Sequence, residues 1–248
     1  MFMISDNKHK ICFNKGQVLI LVLITIVSMS LAGCRANNSE EISPKESQYE
    51  ESEVPITQNS PPLIEPVEQA NTEPRDEDLV RILDYIPSVY IELKYATTDN
   101  FTGKIIYDFT DASLRYGTIK KLKAVQEELA EQGYSLKIWD AYRPVSAQFT
   151  LWDVCPNPVY VANPNTGYSS HSKGNTIDVT LVLSDGTEIM MPSCFDDFSE
   201  KADRDYSDVS DEAAANAALL ENTMSAHGFN CYSGEWWHFS DSTAYTVL

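Results

Sequence analysis

Two short segments of the sequence place a histidine close to a carboxylate, and together they hold the residue types of a metal site. In the first, His171 lies in a turn of small residues, and Asp178 follows seven positions later at the head of an apolar strand. In the second, Glu235 stands three residues before His238 in the run EWWH. Two imidazoles and one carboxylate suit Zn²⁺, and three protein ligands leave a fourth position for water, as in catalytic zinc sites. The pattern predicts one zinc ion per chain, held by His171, Asp178 and His238.

Two further residues complete the chemistry that such a site could perform. Glu235 is not needed as a ligand, and a carboxylate beside a metal and its water can act as a general base. Arg143 lies in a Tyr-Arg-Pro turn directly after a strand, where it would stabilise the oxyanion formed when water attacks a carbonyl. The alternative for Arg143 is an ion pair with one of the many carboxylates of this chain.

Side-chain alternation sets a condition on how Glu235 and His238 are held. Residues three apart on an ideal strand point to opposite faces, so both can face one metal only if a bulge or turn begins the strand. Ser233 and Gly234 come directly before Glu235 and give the backbone the freedom for such a turn. The sequence therefore predicts an irregular start to this strand.

The elements around these residues indicate one α+β domain over residues 78–248. Alternating or β-branched runs predict strands, and a 3.6-residue apolar period followed by glycine predicts helices. The predicted strands are 89–96, 134–139, 176–183, 187–191 and 235–240, with a hairpin turn at 184–186, and the predicted helices are 118–132, a short one after Pro144, and 211–226. Their order indicates a small antiparallel β-sheet flanked by helices, with the zinc site on the sheet.

The amino terminus, residues 1–33, has the pattern of a signal peptide. Lysines precede the uncharged run 18–33, which is shorter than the roughly 20 residues that a spanning helix needs. The run ends in Leu-Ala-Gly before Cys34, which resembles the lipobox of bacterial lipoproteins, where the signal is cut before the cysteine and the thiol is acylated. The alternative is an uncleaved anchor helix with an incidental cysteine. Either interpretation predicts an exported protein tethered to the outer face of the cytoplasmic membrane, in the first case through a lipid on Cys34.

Residues 34–77 are predicted to form the acylated cysteine and a disordered acidic linker. From 35 to 77 the chain has no glycine, six prolines, and 11 acidic against 3 basic residues, so it offers little apolar surface to offset the entropy of ordering. Its expected role is to hold the folded domain away from the membrane. The whole chain has 37 acidic and 18 basic residues, which argues against nucleic acid as a partner because polyanions bind clustered Lys and Arg.

Four ordered blocks of the sequence resemble the D-alanyl-D-alanine dipeptidases of the vancomycin-resistance type. The blocks are YATTDNFTG at 95–103, DAYRP at 140–144, SSHSKGNTID at 169–178 and EWWH at 235–238. These dipeptidases belong to a wider group with lysostaphin-like enzymes, D-Ala-D-Ala carboxypeptidases and the hedgehog amino-terminal domain. The resemblance implies the α+β fold of that group.

The resemblance also implies a role for each matching residue. It implies a zinc site formed by His171, Asp178 and His238. Glu235 matches the general base, and Arg143 matches the transition-state stabiliser. Asp196 matches an acidic residue that receives the ammonium group of the substrate, and Ser169 matches a residue near the substrate backbone.

The implied reaction is zinc-dependent hydrolysis of D-alanyl-D-alanine, or a related D-amino-acid dipeptide, outside the cytoplasmic membrane. Export departs from the resistance enzymes, which work in the cytoplasm, and Thr176 stands where the group usually has alanine. One alternative is a zinc D,D-carboxypeptidase or endopeptidase that trims peptidoglycan stem peptides. Another is a non-catalytic zinc-bearing binding domain, and the oligomeric state is left open.

Three cysteines lie in the predicted exported domain: Cys155, Cys194 and Cys231. An oxidising location allows one disulfide and leaves one thiol, but the sequence does not choose the pair. Zinc ligation by Cys194 and Cys231 is a further alternative, although two thiolates would close the open coordination position.

Overall fold

The structure, a computed structural model, describes residues 73–248 and confirms a mixed α+β fold. The predictions for residues 1–72, which are the signal peptide, the lipid on Cys34 and most of the acidic linker, lie outside the described residues. Within 73–248, none of the helices is both long and apolar enough to cross a membrane.

Seven strands and three α-helices make up the described part of the chain. In chain order, the strands are β1 (Leu79–Arg81), β2 (Tyr90–Ile91), β3 (Ser113–Arg115), β4 (Tyr134–Asp140), β5 (Thr176–Leu183), β6 (Phe229–Cys231) and β7 (His238–Asp241). The helices are α1 (Tyr116–Glu131), α2 (Val145–Val154) and α3 (Asp211–Ala226). Strands β1 and β3 form a separate antiparallel pair, and the other five form one sheet in the order β2, β4, β5, β7, β6.

The five-stranded sheet is mostly antiparallel, as predicted, with one parallel pair between β2 and β4. Strand β5 lies in the middle, and every one of its residues except Leu183 is buried. Its sequence, TIDVTLVL, alternates polar and apolar residues as far as Leu181, and both sets are buried. Any polar side chain on β5 therefore lies among the residues of its two neighbours, β4 and β7.

Two helices follow the predicted patterns closely. The predicted apolar face of α1, Ile119, Leu122, Val125 and Leu129, is at most 1% exposed. Gly133 ends the α1 region with φ of 84°, a left-handed conformation that costs glycine little. Helix α3 begins where Ser210 Oγ accepts a hydrogen bond from the Ala213 N–H at 3.2 Å, and its bounds match the prediction.

Two predicted strands are wrong for most of their length. Of the predicted strand 89–96, only Tyr90–Ile91 pairs with the sheet, and the chain then forms a 3₁₀ turn at Lys94–Ala96. The N–H groups of Ile106 and Tyr107 both donate to the Tyr95 carbonyl at 2.9 Å, which holds this segment in its own local structure. The hairpin strand predicted at 187–191 is reduced to a single bridge between Glu188 and Val182.

Candidate metal centre and active site

Strand register places the Asp178 and His238 side chains side by side. Asp178 on β5 is paired directly with His238 on β7, and directly with Asp140 on β4 at a register irregularity. Residues directly opposite each other in antiparallel strands carry their side chains on the same face. The Asp178 carboxylate therefore lies in a row of polar side chains that crosses three strands.

A tight turn brings His171 to the same place. The turn Ser170–Lys173 is a 3₁₀ helix, and Gly174 ends it with φ of 74°. At its start, Ser169 Oγ accepts a hydrogen bond from the His171 N–H at 3.3 Å. The His171 carbonyl in turn accepts the N–H of Arg143 at 3.3 Å, which ties the turn to the segment after β4.

The three predicted ligands form one compact group. Asp178 Oδ1 lies 2.9 Å from His238 Nδ1, and Asp178 Oδ2 lies 3.3 Å from His171 Nε2. One donor atom from each residue lies within 4.8 Å of the others, a spacing that could hold a metal ion. His171 is 3% exposed and Asp178 is 4% exposed, so water competes little for these atoms.

The surroundings of the group suit a metal such as zinc. His171 Nδ1 lies 2.8 Å from the Ala141 carbonyl, which can only accept, so the proton is assigned to Nδ1 and the lone pair to Nε2, the atom nearest Asp178. Burial raises the pKa of Asp178, but when His171 is protonated, its positive charge and the hydrogen bonds from both imidazoles outweigh burial and hold that pKa well below its usual range. The group therefore offers a carboxylate and an oriented imidazole, which are the forms that bind metal.

Glu235 lies beside the group in a turn that precedes β7. Its N–H donates to the Tyr232 carbonyl, and its own carbonyl accepts the His238 N–H, so β7 begins only at His238. Glu235 Oε2 thereby lies 3.6 Å from His238 Nδ1, which satisfies the condition set by strand alternation. Burial, followed by the negative charge of Asp178, raises the pKa of the Glu235 carboxyl above its usual value.

Arg143 is buried and held by three side chains. Its Nε donates to Tyr107 Oη at 3.0 Å, its Nη1 donates to Gln148 Oε1 at 2.9 Å, and its Nη2 forms an ion pair with Asp140. Its guanidinium carbon also lies 4.9 Å from the centre of the Tyr95 ring. The ion pair that the sequence left as an alternative is therefore present. Three bonds engage three of the five guanidinium N–H groups and leave two for a substrate.

Asp196 is close enough to Asp178, Arg143 and Glu235 for their charges to affect its pKa. Its φ of 53° is in the left-handed region, which is uncommon outside glycine and is often found at functional positions. Tyr95 Oη donates a hydrogen bond to Asp196 Oδ2 at 2.8 Å. Burial raises the pKa of Asp196 to about 8, with smaller contributions from the charges of Asp178 and Glu235 in the same direction. A positively charged ligand group beside Asp196 would stabilise its ionised form.

The two serines before His171 have different contacts. Ser169, the predicted substrate-binding residue, is buried and caps the turn through the His171 N–H. Ser170, to which the sequence assigned no role, places its Oγ 3.4 Å from His238 Nε2. Ser170 therefore contacts the ring of His238 on the side away from Asp178, where it can orient the imidazole.

Sequence reasoning missed the side chains that support these residues. Tyr95 and Asp140 lie inside two of the blocks that carry the resemblance, so their position was a signal that went unused. Tyr107 and Gln148 contact Arg143 from outside the blocks, and no pattern in the sequence marked them. Such support arises from tertiary contacts rather than from local spacing.

The cysteines contribute nothing to the metal group of the described residues. Cys155 and Cys231 are free thiols, so no disulfide joins these two. Cys231 Sγ lies 3.3 Å from Ser225 Oγ, and it belongs to β6 at the edge of the sheet. The thiolate alternative for the metal site therefore has no support from the structure.

The fold and the site suit a hydrolase, because a group of side chains that could hold a metal ion lies beside a carboxylate and a buried arginine. Residues 75–246 match the model of the M15 peptidase family, described as D-ala-D-ala dipeptidase, and the chain belongs to this family. The protein is thus a peptidase, as predicted.

Individual relatives agree with the family match. The D-alanyl-D-alanine dipeptidase of Escherichia coli K12 is 40% identical over 173 residues, which cover 69% of this chain and 89% of that protein. The D-alanyl-D-alanine dipeptidase of Enterococcus faecium is 35% identical over 176 residues, which cover 63% of this chain and 87% of that protein. A solved LD-carboxypeptidase aligns with a TM-score of 0.42 and 20% identity over 69% of this chain and 70% of its own.

Proposed function

We propose that this peptidase is a zinc-dependent D-alanyl-D-alanine dipeptidase that acts outside the cytoplasmic membrane. The observation that carries the proposal is the buried group of His171, Asp178 and His238, with the Glu235 carboxylate 3.6 Å from one of its imidazoles. Two relatives that cover most of this chain's folded part carry the name D-alanyl-D-alanine dipeptidase, which supports the choice of substrate.

The three predicted ligands, Glu235 and Arg143 have separate roles in the proposed reaction. Zinc held by the three ligands would supply a Lewis acid that polarises the peptide carbonyl and makes water easier to deprotonate. Glu235 takes a proton from the attacking water while the water oxygen bonds to the carbonyl carbon. Arg143 donates its two remaining N–H groups to the carbonyl oxygen as that oxygen gains negative charge. When the carbon–nitrogen bond breaks, Glu235 gives the proton to the leaving amine, and two D-alanines result.

Asp196 would restrict the substrate to peptides with a free amino end. A buried carboxylate that lacks a counter-charge is costly, and a substrate ammonium supplies that charge. Removing the charge of the substrate by acetylation would leave the carboxylate uncompensated. The proposed function therefore requires a free dipeptide.

The direct test is the release of D-alanine from D-Ala-D-Ala by the purified zinc-loaded protein, compared with N-acetyl-D-Ala-D-Ala. Chelator-sensitive cleavage of the free dipeptide alone is the expected result. Cleavage of the acetylated peptide at a similar rate would instead support the D,D-carboxypeptidase or endopeptidase alternative. Cleavage of neither peptide would contradict both functions.

One observation favours that second candidate. Phe198, two residues after Asp196, is 47% exposed, and its ring lies 4.4 Å from the Tyr160 ring, which is 45% exposed. This exposed aromatic pair near Asp196 offers contact area to a peptide longer than a dipeptide. The comparison of free and acetylated substrates decides between the two candidates.

The Asp196→Asn variant is expected to raise KM for D-Ala-D-Ala by about 10- to 100-fold, since a hydrogen-bonded charge is lost. Asparagine is the matched replacement because it tolerates a positive φ and can still accept from Tyr95. The inhibition constant of the acetylated dipeptide, measured as a competitor of D-Ala-D-Ala cleavage, should change much less. Equal changes in this inhibition constant and in KM for D-Ala-D-Ala would refute ammonium recognition by Asp196.

Attachment to the membrane is tested with Cys34→Ala in cells given labelled palmitate. The wild-type protein and the matched control Cys12→Ala are expected to carry the label and to sediment with membranes. Cys34→Ala should lose the label because it lacks the thiol that the lipobox would present. Label retained by Cys34→Ala would show that the lipid is not on Cys34.

A further inference from the structure

Gln148 connects Arg143 to the segment that follows α2 in the chain. It lies in the first half of α2 and is 1% exposed. Its Oε1 accepts from Arg143 Nη1 at 2.9 Å, and its Nε2 donates to the Ala162 carbonyl at 2.7 Å. Because a guanidinium can only donate and a carbonyl can only accept, a single orientation of the Gln148 amide satisfies both.

The other two partners of Arg143 hold only one edge of its guanidinium. Tyr107 accepts from Nε and Asp140 accepts from Nη2, and Tyr107 also donates to Asp140 Oδ1 at 2.6 Å. The Asp140 carboxylate is fixed further by the Ala141 N–H at 2.9 Å. Gln148 contacts Nη1, the edge of the planar guanidinium that these two partners do not touch, and so adds a third restraint on its orientation.

We infer that Gln148 is a positioning residue for peptide hydrolysis, which holds the Arg143 guanidinium so that its remaining N–H groups meet the carbonyl oxygen of the substrate. The inference rests on the proposed function of Arg143 and adds a residue that does not itself touch the substrate. A misdirected donor loses much of its value in the transition state, because hydrogen bonds weaken steeply with angle. The link to Ala162 anchors the amide to the backbone at 155–169, so Gln148 cannot follow a moving guanidinium.

The first measurement is the turnover of D-Ala-D-Ala by Gln148→Met, which keeps the length of the side chain and removes both hydrogen bonds. The expected result is a fall in kcat of about 10- to 100-fold, the usual effect of losing an outer supporting contact, with KM and zinc content close to those of wild type. Unchanged kcat would overturn the inference.

Gln126→Met is the matched control for burying a methionine in place of a glutamine. Gln126 in α1 is 3% exposed, and its Oε1 accepts from the Leu136 N–H at 2.8 Å, away from the metal ligands. Both substitutions should lower stability, but only Gln148→Met should lower kcat. An equal fall in kcat for the two variants would show a general structural effect and overturn the positioning role.

A double substitution tests whether Gln148 acts through Arg143. Arg143→Lys retains a cation beside the buried Asp140 but not the planar fork that meets Gln148. In this background, Gln148→Met is expected to cause no further loss of kcat. A further loss as large as in the wild-type background would overturn the inference.

A readout independent of catalysis separates this inference from the proposed function. If the wild-type protein fails to cleave D-Ala-D-Ala, the proposed function is refuted. NMR spectra of protein with ¹⁵N-labelled arginine side chains then test the role of Gln148 by itself. The Arg143 Nη signals, assigned by their loss in Arg143→Lys, should be sharp in wild type and Gln126→Met and exchange-broadened in Gln148→Met. Sharp Arg143 Nη signals in Gln148→Met would overturn the inference.

Discussion

Replacing Glu235 by glutamine is expected to lower kcat for D-Ala-D-Ala by about 10²- to 10⁴-fold, the range of general acid–base catalysis, while the zinc content stays that of wild type. The amide keeps the size of the carboxylate but cannot take a proton from water. Metal content should hold because the group that could bind the ion consists of His171, Asp178 and His238. The measurements are kcat and the zinc-to-protein ratio of the same preparation.

The geometry of the turn before β7 explains why this variant should keep its metal. Glu235 and His238 are joined by a backbone hydrogen bond from the His238 N–H to the Glu235 carbonyl, which the substitution leaves in place. Glu128→Gln is a suitable control, because its exposed carboxylate pairs with His227 at 2.8 Å, outside the site. Loss of zinc from Glu235→Gln would show that Glu235 is a ligand and would reverse its proposed role.

The sequence predicted well the elements whose residue pattern follows directly from local signals and from which of their side chains are buried. Strand β5 alternates polar and β-branched or apolar residues, and its predicted bounds are those of the structure. Helix α3 has a serine cap and an α-helical period, and both are local signals. Strand β5 carries Asp178, and α3 packs against this strand, so this predicted site residue lies on an element whose bounds the sequence predicted.

The sequence predicted poorly the segments that are buried but are not paired in the sheet. Trp236 and Trp237 are fully buried and read as strand, but they lie in the turn before β7, where they pack edge to face at 5.5 Å. Tyr95 reads as strand for the same reason, yet it leaves the sheet to reach Asp196. An apolar or aromatic run shows that a segment is buried, and it does not show which backbone it pairs with.

The contacts that Tyr107 and Gln148 make around Arg143 could not be read from the sequence. The hydrogen bond between Tyr107 and Arg143 joins residues 36 positions apart, and that between Gln148 and the Ala162 carbonyl joins residues 14 apart. Neither pair has a period or motif, because each depends on how α2 and the segments around it pack. The predicted ligands and base had a spacing to follow, whereas Tyr107 and Gln148 had none.

Replacing His238 by alanine is expected to abolish stable zinc binding and, with it, turnover of D-Ala-D-Ala. His238 Nδ1 lies 2.9 Å from Asp178 Oδ1, so the substitution removes one of three donor atoms and leaves a buried carboxylate with a single imidazole partner. The zinc-to-protein ratio after dialysis should fall far below that of wild type. A ratio equal to wild type would refute the assignment of His238 as a ligand.

Ser170→Ala is the matched control for this substitution. Ser170 Oγ contacts His238 Nε2 at 3.4 Å, so its loss should weaken the orientation of the ring and leave all three donor atoms in place. The predicted order of zinc retention is therefore wild type, then Ser170→Ala, then His238→Ala.

Thermal unfolding gives the same comparison without any substrate. A ligand that binds only the folded state stabilises it by about 2.7 kcal/mol when its free concentration is 100 times its dissociation constant. Addition of zinc to the metal-free protein should raise Tm of wild type and leave Tm of His238→Ala unchanged. Because the Asp178 carboxylate and the His171 lone pair remain in the variant, an equal rise in both proteins would mean that zinc binds without His238. The metal group would then have to be sought among other atoms of the site.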